Sequence, residues 1–233
     1  MNQRCTSTKE ATCADTRRFE EKPRIVVFDM DGVLVDVKSS WQFVHEAFGA
    51  NNWKNVKRYL SGQITYNELM RRDIALWGRI HIDKITSILS KAPLMLGAQE
   101  AFACLKMAEV KTALISAGVS VLADRLRTIL GIDRVFANKI LTDQQGFLTG
   151  EGEEIVSLLD KPKVLKKLVT LENIPISKCA VVGDSSYDIP MFREAGLSIA
   201  FNTNEDNVKK MADVVIEKKD LREILPYLVG CSE

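Results

Sequence analysis

The chain has 233 residues, 46% of them apolar and 27% charged, with a net charge of +1. That length suits one sizeable core, or a core domain with a smaller cap. The near-neutral balance excludes a surface field built for nucleic acid or membrane, so an anionic substrate would have to be drawn by local charges and a metal.

Residues 1–22 are polar and mixed in sign. They carry Arg, Ser and Thr but also Glu10, Asp15, Glu20 and Glu21, and they lack the apolar run of a secretory signal. The expectation is a flexible tail on a cytoplasmic protein. No apolar run approaches the roughly 18–20 residues of a membrane helix. The cysteines are Cys5, Cys13, Cys104, Cys179 and Cys231, and no two have CxxC spacing. Cys104 and Cys179 lie in apolar segments and read as small buried hydrophobes, consistent with reduced thiols.

Order is expected from Arg24. Ile25, Val26, Val27 and Phe28 form a continuous apolar run that ends in Asp29-Met30-Asp31-Gly32. A buried strand feeding a polar loop accounts for both. From Val37 to Ala92 the pattern is helical. Trp41, Val44, His45 and Phe48 recur at helical spacing, as do Tyr66, Leu69, Met70, Asp73 and Trp77. Gly49, Gly62 and Gly78 punctuate the segment and Pro93 closes it.

Beyond Pro93 helices and strands alternate. Helices are expected at 98–107, 119–130, 162–171, 189–195 and 220–228, with Gly131 as a C-cap. Strands are expected at 111–115, 179–182, 198–201 and 213–216, with short strand-like pieces between 134 and 149. Such alternation predicts an α/β fold: a doubly wound, mostly parallel, Rossmann-like sheet with an inserted helical cap. The core would comprise 23–36 and 93–233, and the cap 37–92.

Three strands end in polar clusters: Asp29/Asp31, Ser116, and Asp184 with Asp188. Ligands of open α/β sheets bind beyond the carboxyl ends of the strands, where these clusters would converge. Gathered carboxylates repel one another, and a divalent cation relieves that cost. Oxygen ligands without histidine or cysteine suit Mg²⁺, which in turn attracts phosphate. A hydroxyl and backbone amides can hold the other phosphoryl oxygens. Lys161 precedes Pro162, a favoured first helical residue, and so stands at a helix N-terminus, where phosphate is favoured. Taken singly, each of these residues reads as a turn, a cap or a solvated side chain. Their co-occurrence and order carry the case.

Asp29-Met30-Asp31-Gly32-Val33-Leu34-Val35 resembles the first motif of the haloacid dehalogenase superfamily, DxDGxxx. Ser116 after Leu114-Ile115 resembles the second, Lys161 the third, and Gly183-Asp184-Ser185-Ser186-Tyr187-Asp188 the fourth, GDxxxD. All four stand in order. The helical insert between the first and second motifs, and the stretch from Ala137-Asn138 to Leu148-Thr149-Gly150, resemble the phosphoserine phosphatase-like branch.

The resemblance implies a Mg²⁺-dependent hydrolase of a small phosphorylated metabolite, with Asp29 as nucleophile and Asp31 as general acid and base. Asp31 must then be protonated when substrate arrives, which requires a raised pKa. Mg²⁺ would be held by the Asp29 carboxylate, the Asp31 carbonyl and Asp184. Asp188 would orient Lys161 or a metal-bound water. Ser116, the Ala117 amide and Lys161 would bind phosphate. Asp31 also favours phosphoryl transfer over dehalogenation.

The substrate side differs from true phosphoserine phosphatases. Those carry a glutamate nine residues after the nucleophile and an arginine in a cap helix. Here Lys38 and Asp73 stand in those places, reversing both charges and pointing to another substrate. Asp73 lies on an apolar stripe, so it is either a buried ion pair with Lys38 or an arginine, or a substrate contact. Trp41, Phe48, Tyr66 and Trp77 read as cap core. A phosphotransferase or phosphomutase using the same aspartate, and a non-catalytic binding module, are the competing functions. The sequence leaves the oligomeric state open.

Overall fold

Ile25–Phe28 forms strand β1, and all four of its side chains are fully buried. A strand with no polar face needs cover on both sides. The computed structural model, which describes residues 22–229, shows how that cover is built. The expected tail up to residue 21, with Cys5 and Cys13, lies outside the described residues, as does Cys231.

After β1 come four helices: α1 (Ser40–Ala47), α2 (Trp53–Leu60), α3 (Tyr66–Ala75) and α4 (Ile82–Leu89). Then follow α5 (Ala98–Met107), β2 (Lys111–Val119), α6 (Ser120–Leu130), β3 (Arg134–Thr142), β4 (Leu148–Glu153) and α7 (Lys161–Leu171). The chain closes with β5 (Cys179–Gly183), α8 (Ile189–Phe192), β6 (Leu197–Phe201), α9 (Asp206–Met211), β7 (Val214–Ile216) and α10 (Leu225–Leu228). Among the described residues the seven strands form one sheet in the order β4-β3-β2-β1-β5-β6-β7. All pairs are parallel except β3–β4.

The alternation of side chains in β1 builds two cores. Val26 and Phe28 join the core that includes Phe102, Leu105, Leu122 and Leu126, whereas Ile25 and Val27 join Leu165, Leu168, Val181 and Phe192. The doubly wound sheet expected from the sequence is therefore present. The chain leaves β1 for β2 on one side and later fills β5 on the other, so the strand order reverses at β1. Such a switch point opens a crevice at the strand ends.

The insert forms where helical periodicity predicts it. Ser39 and Thr65 cap α1 and α3 by accepting from Gln42 and Glu68 N–H. Gly49, Gly62 and Gly78 adopt positive φ just beyond α1, α2 and α3. Its own core includes the stacked pair Trp41–Trp77, with ring centres 5.6 Å apart. It docks on the β3–β4 hairpin, where Ile82 N–H donates to Gly146 and Leu148 N–H to Ile80.

Three sequence expectations differ from the structure. The helix expected over 189–195 ends at Phe192, because the chain turns to let Gly196 N–H reach the Cys179 carbonyl at 2.9 Å. The expected last helix is a 3-10 turn at Leu221–Ile224 followed by α10. Pro226 has no N–H for the Arg222 carbonyl, which takes Leu225 N–H instead. The strand expected over 111–115 continues to Val119 through a bulge. Cys104 and Cys179 are buried as expected, and burial pushes the Cys179 thiol up to about 12. Among the described residues no helix is long and apolar enough to cross a membrane.

Leu105 is fully buried on α5 against the sheet. Leu105→Ala should lose about 2–5 kcal/mol of stability in a urea titration, from lost transfer energy and the cavity left behind.

Candidate active site

Register places the polar residues. Phe28 pairs with Leu114 on one side and Val182 on the other. Asp29, Ser116 and Asp184 therefore emerge together at the carboxyl edge around β1. Asp29 N–H is still tied to the Val182 carbonyl at 3.0 Å. Lys161 enters from the first turn of α7, where Pro162 follows it.

Lys161 is 2% exposed and lies 2.9 Å from Asp29 Oδ2 and 2.7 Å from Asp188 Oδ1. Burial works against its ammonium, but Asp188 and Asp29 overcome this and raise its pKa. Asp29 is pushed up by burial and pulled back by Lys161. Asp188 is fully buried, and its Oδ2 accepts from Asp184 N–H, Ser185 N–H and Ser185 Oγ. Both of its oxygens are thus engaged.

Asp31 has different surroundings two residues from Asp29. Its Oδ2 accepts from Ser40 N–H at 2.8 Å and Ser40 Oγ at 2.9 Å, while its buried Oδ1 has no hydrogen-bond partner among the described residues. Burial pushes its pKa up to about 7, against the opposing pull of Ser40 N–H. Ser40 Oγ in turn accepts from Val119 N–H at 3.1 Å. Asp184 approaches the loop over Gly32, where a Cβ would lie 2.0 Å from Asp184 Oδ2. Gly32 has φ +78°, so both its backbone and its contact exclude a larger residue.

Carboxylate oxygens of Asp29, Asp184 and Asp188 lie within 4.8 Å of one another. Burial, followed by the charges of Asp29 and Asp188, pushes Asp184 up to about 8. That mutual cost is what a divalent cation relieves, and the all-oxygen donor set suits a hard one. The donor set therefore fits a metal. Asp188 is tied to Lys161, Asp184 N–H and Ser185, and Asp29 to Lys161 and Met30 N–H.

Ser116 is 2% exposed, and its Oγ accepts from Gly118 N–H at 3.1 Å. Ala117 is also buried, and its carbonyl receives Trp41, Tyr66 and Asn138. The structure brings Asp29, Asp31, Ser116, Ala117, Lys161, Asp184 and Asp188 to this one edge.

Lys38 is exposed. Asp73 is 3% exposed and sits within the insert. Its Oδ2 accepts from Asn52 at 2.7 Å and faces His45 Nε2 at 3.5 Å, and its Oδ1 accepts from Asn55 at 3.5 Å. The partners are not the Lys38 or arginine expected for a buried pair. Arg71 and Arg72 bond Glu68 instead. His45 Nδ1 accepts from Trp77 Nε1, which leaves its ring proton on Nε2, toward Asp73.

Ser40 and Asn138 also bond to this edge, although none of the four motifs marks them. Ser40 opens a helix, where a small polar residue is commonplace. Asn138 was visible within Ala137-Asn138. Fully buried, it accepts from Ile155 and Val156 N–H and donates to the Ala117 and Val156 carbonyls.

The family described as haloacid dehalogenase-like hydrolase matches residues 23–196. The chain is 32% identical over 212 residues to the phosphoserine phosphatase of Methanocaldococcus jannaschii, covering 90% of this chain and 100% of that one. A solved substrate-bound phosphoserine phosphatase complex superposes with a TM-score of 0.76 at 31% identity, over 90% of this chain and 100% of the other. A phospho-aspartyl intermediate analogue of phosphoserine phosphatase gives 0.75 at 31% identity, over 89% and 100%.

Asp31 and Asp184 hold their protons to higher pH when folded than the ordinary 3.8. Their contribution to stability is complete below that value and is lost as the pH rises through about 7 and about 8. Metal-free protein should therefore melt at lower temperature at about pH 9 than at about pH 5, and a divalent cation should recover more at the higher pH. Melting curves with and without chelator test this. Asp73→Arg would bury a cation against Asn52, Asn55 and His45. It should cost about 3–5 kcal/mol, read by urea titration.

Proposed function

The chain belongs to the haloacid dehalogenase-like hydrolases, in the branch that resembles phosphoserine phosphatase, and from that premise we propose a Mg²⁺-dependent hydrolase of a small phosphomonoester acting through an aspartyl phosphate on Asp29. One observation carries the reading. Asp29 and Asp31 are two residues apart and burial raises the pKa of both, yet Asp29 is ion-paired to Lys161, which pulls it back down, whereas Asp31 turns to Ser40 and keeps a buried oxygen with no hydrogen-bond partner among the described residues. Two carboxyl groups pushed apart by environment are suited to opposite tasks.

Asp29, ion-paired to Lys161, attacks phosphorus as its carboxylate. An oxygen–phosphorus bond forms on Asp29, and the bond to the leaving oxygen breaks. Asp31 gives its proton to that oxygen and the alcohol departs. A water then attacks the same phosphorus and Asp31 takes its proton. The bond to Asp29 breaks, returning both carboxyl groups to their starting states with inorganic phosphate as product.

Ser116, the Ala117 amide and Lys161 bind the phosphoryl oxygens. Asp29, the Asp31 carbonyl and Asp184 would hold Mg²⁺, with Asp188 fixing Lys161. Bound there, Mg²⁺ offsets negative charge on the transferring group. Residues 37–92 act as a cap over the 23–36 and 93–233 core. Lys38 is the cap-side charge open to a leaving group; Asp73 is better accounted for by its partners within the cap. The reversal of charge at both places supports a substrate other than phosphoserine.

Asp29→Asn should abolish phosphatase activity, and chelation should do so reversibly, with Mg²⁺ restoring it. A screen of phosphorylated amino acids, sugars, polyols and nucleotides should show phosphate release equal to substrate loss. Full activity in Asp29→Asn overturns the mechanism, and substrate loss without phosphate release assigns a different acceptor.

A further inference from the structure

β2 carries two extra residues opposite β3 at the site: Ile115 pairs with Phe136, yet Val119 pairs with Asn138. The bulge takes Ser116, Ala117 and Gly118 out of regular pairing. The Ala117 carbonyl is satisfied instead by three side chains. Tyr66 Oη donates at 2.7 Å, Asn138 Nδ2 at 2.9 Å and Trp41 Nε1 at 3.0 Å. A carbonyl has two lone pairs, so three donors crowd it. Two of them, Trp41 on α1 and Tyr66 on α3, come from the insert.

The Ala117 carbonyl and the Gly118 N–H belong to one peptide unit. That N–H donates to Ser116 Oγ. Donors on the carbonyl polarise the unit and strengthen the bond made at its other end, by about 10–30% per bond. With Gly118 N–H on a Ser116 lone pair, the hydroxyl proton of Ser116 is left to be donated elsewhere. The position of the insert is thereby transmitted to the Ser116 hydroxyl through one rigid peptide plane.

We infer that Tyr66 is a positioning residue for the phosphoryl grip, coupling the seating of the 37–92 insert to the orientation of the Ser116 hydroxyl. This rests on the reading of Ser116 as a phosphate-binding residue. Tyr66 is the separable member of the three. Asn138 also braces Ile155 and Val156, and Trp41 also stacks on Trp77. The Tyr66 ring packs edge-on against Tyr59 at 5.2 Å, a contact that phenylalanine retains. Burial holds its phenol well above the ordinary value, so it stays a donor. If the insert lifts, the Ala117 carbonyl loses Tyr66 and Trp41 together, and the grip is complete only when the insert is seated.

The test is a double-mutant cycle of Tyr66→Phe and Ser116→Ala, read as kcat/KM on p-nitrophenyl phosphate with Mg²⁺. Tyr66→Phe should lower kcat/KM about tenfold alone, and add nothing once Ser116 is alanine. A purely structural loss would multiply with that of Ser116→Ala, and this outcome overturns the inference. Unchanged kcat/KM in Tyr66→Phe also overturns it. Wild-type activity in Ser116→Ala removes the reading of Ser116 itself. That failure is told apart by the single variant, and the inference falls with it.

Discussion

Lys161 stands fully enclosed between Asp29 and Asp188, and the arrangement around it follows from the cost of burying an ion. An isolated ammonium in the interior is destabilising by several kcal/mol unless well-placed partners offset it. Asp29 and Asp188 are those partners, at 2.9 and 2.7 Å. Asp188 can serve only because backbone N–H groups of the β5–α8 turn and Ser185 Oγ fix its other oxygen. Asp184 is then left without a cation of its own, beside two other carboxylates. One lysine cannot balance Asp29, Asp184 and Asp188 together. The excess negative charge suits this edge to a divalent cation.

The same logic separates the two aspartates of the first loop. Asp29 takes the lysine, and Asp31 turns away toward Ser40. Ser40 also receives Val119 N–H, so the loop after β1, the first turn of α1 and the end of β2 share one hydroxyl. A few ångströms off, Trp41 and Tyr66 join α1 and α3 to the Ala117 carbonyl. The insert is therefore not merely laid over the site. It supplies hydrogen bonds to the loop after β1 and to the end of β2, which gives its position a direct hold on Asp31 and on the peptide beside Ser116.

Much of this was legible in the residues. The run Ile25–Phe28 read most simply as a buried strand, and the helical spacing within 37–92 marked several helices, through the Trp41–Phe48 and Tyr66–Trp77 stripes. The Asp29, Ser116, Lys161 and Asp184 positions stood at strand or helix ends in the linear pattern. The need for a raised Asp31 pKa followed from its expected task, and burial provides it. Less legible were partners that depend on where distant elements pack. Asp73 looked like half of an ion pair because it is a carboxylate on an apolar stripe. Its partners Asn52, Asn55 and His45 come from the neighbouring α1 and α2 region, and no periodicity within α3 could name them. Tyr66 and Trp41 read as core, and they are, but each also carries a donor whose acceptor is more than fifty residues away.

The sequence by itself determined the alternation of strands and helices, the helical stretch after β1 and the four motifs, but not α9 or the β3–β4 hairpin, because the former rest on local periodicity and on residue chemistry at fixed spacing. Tertiary structure alone decided which carboxyl group takes Lys161, which one turns to Ser40, and how the insert grips the Ala117 peptide. Burial and pairing across the β1 crevice set those outcomes. They are properties of groups brought together by sheet register, not of any stretch of chain.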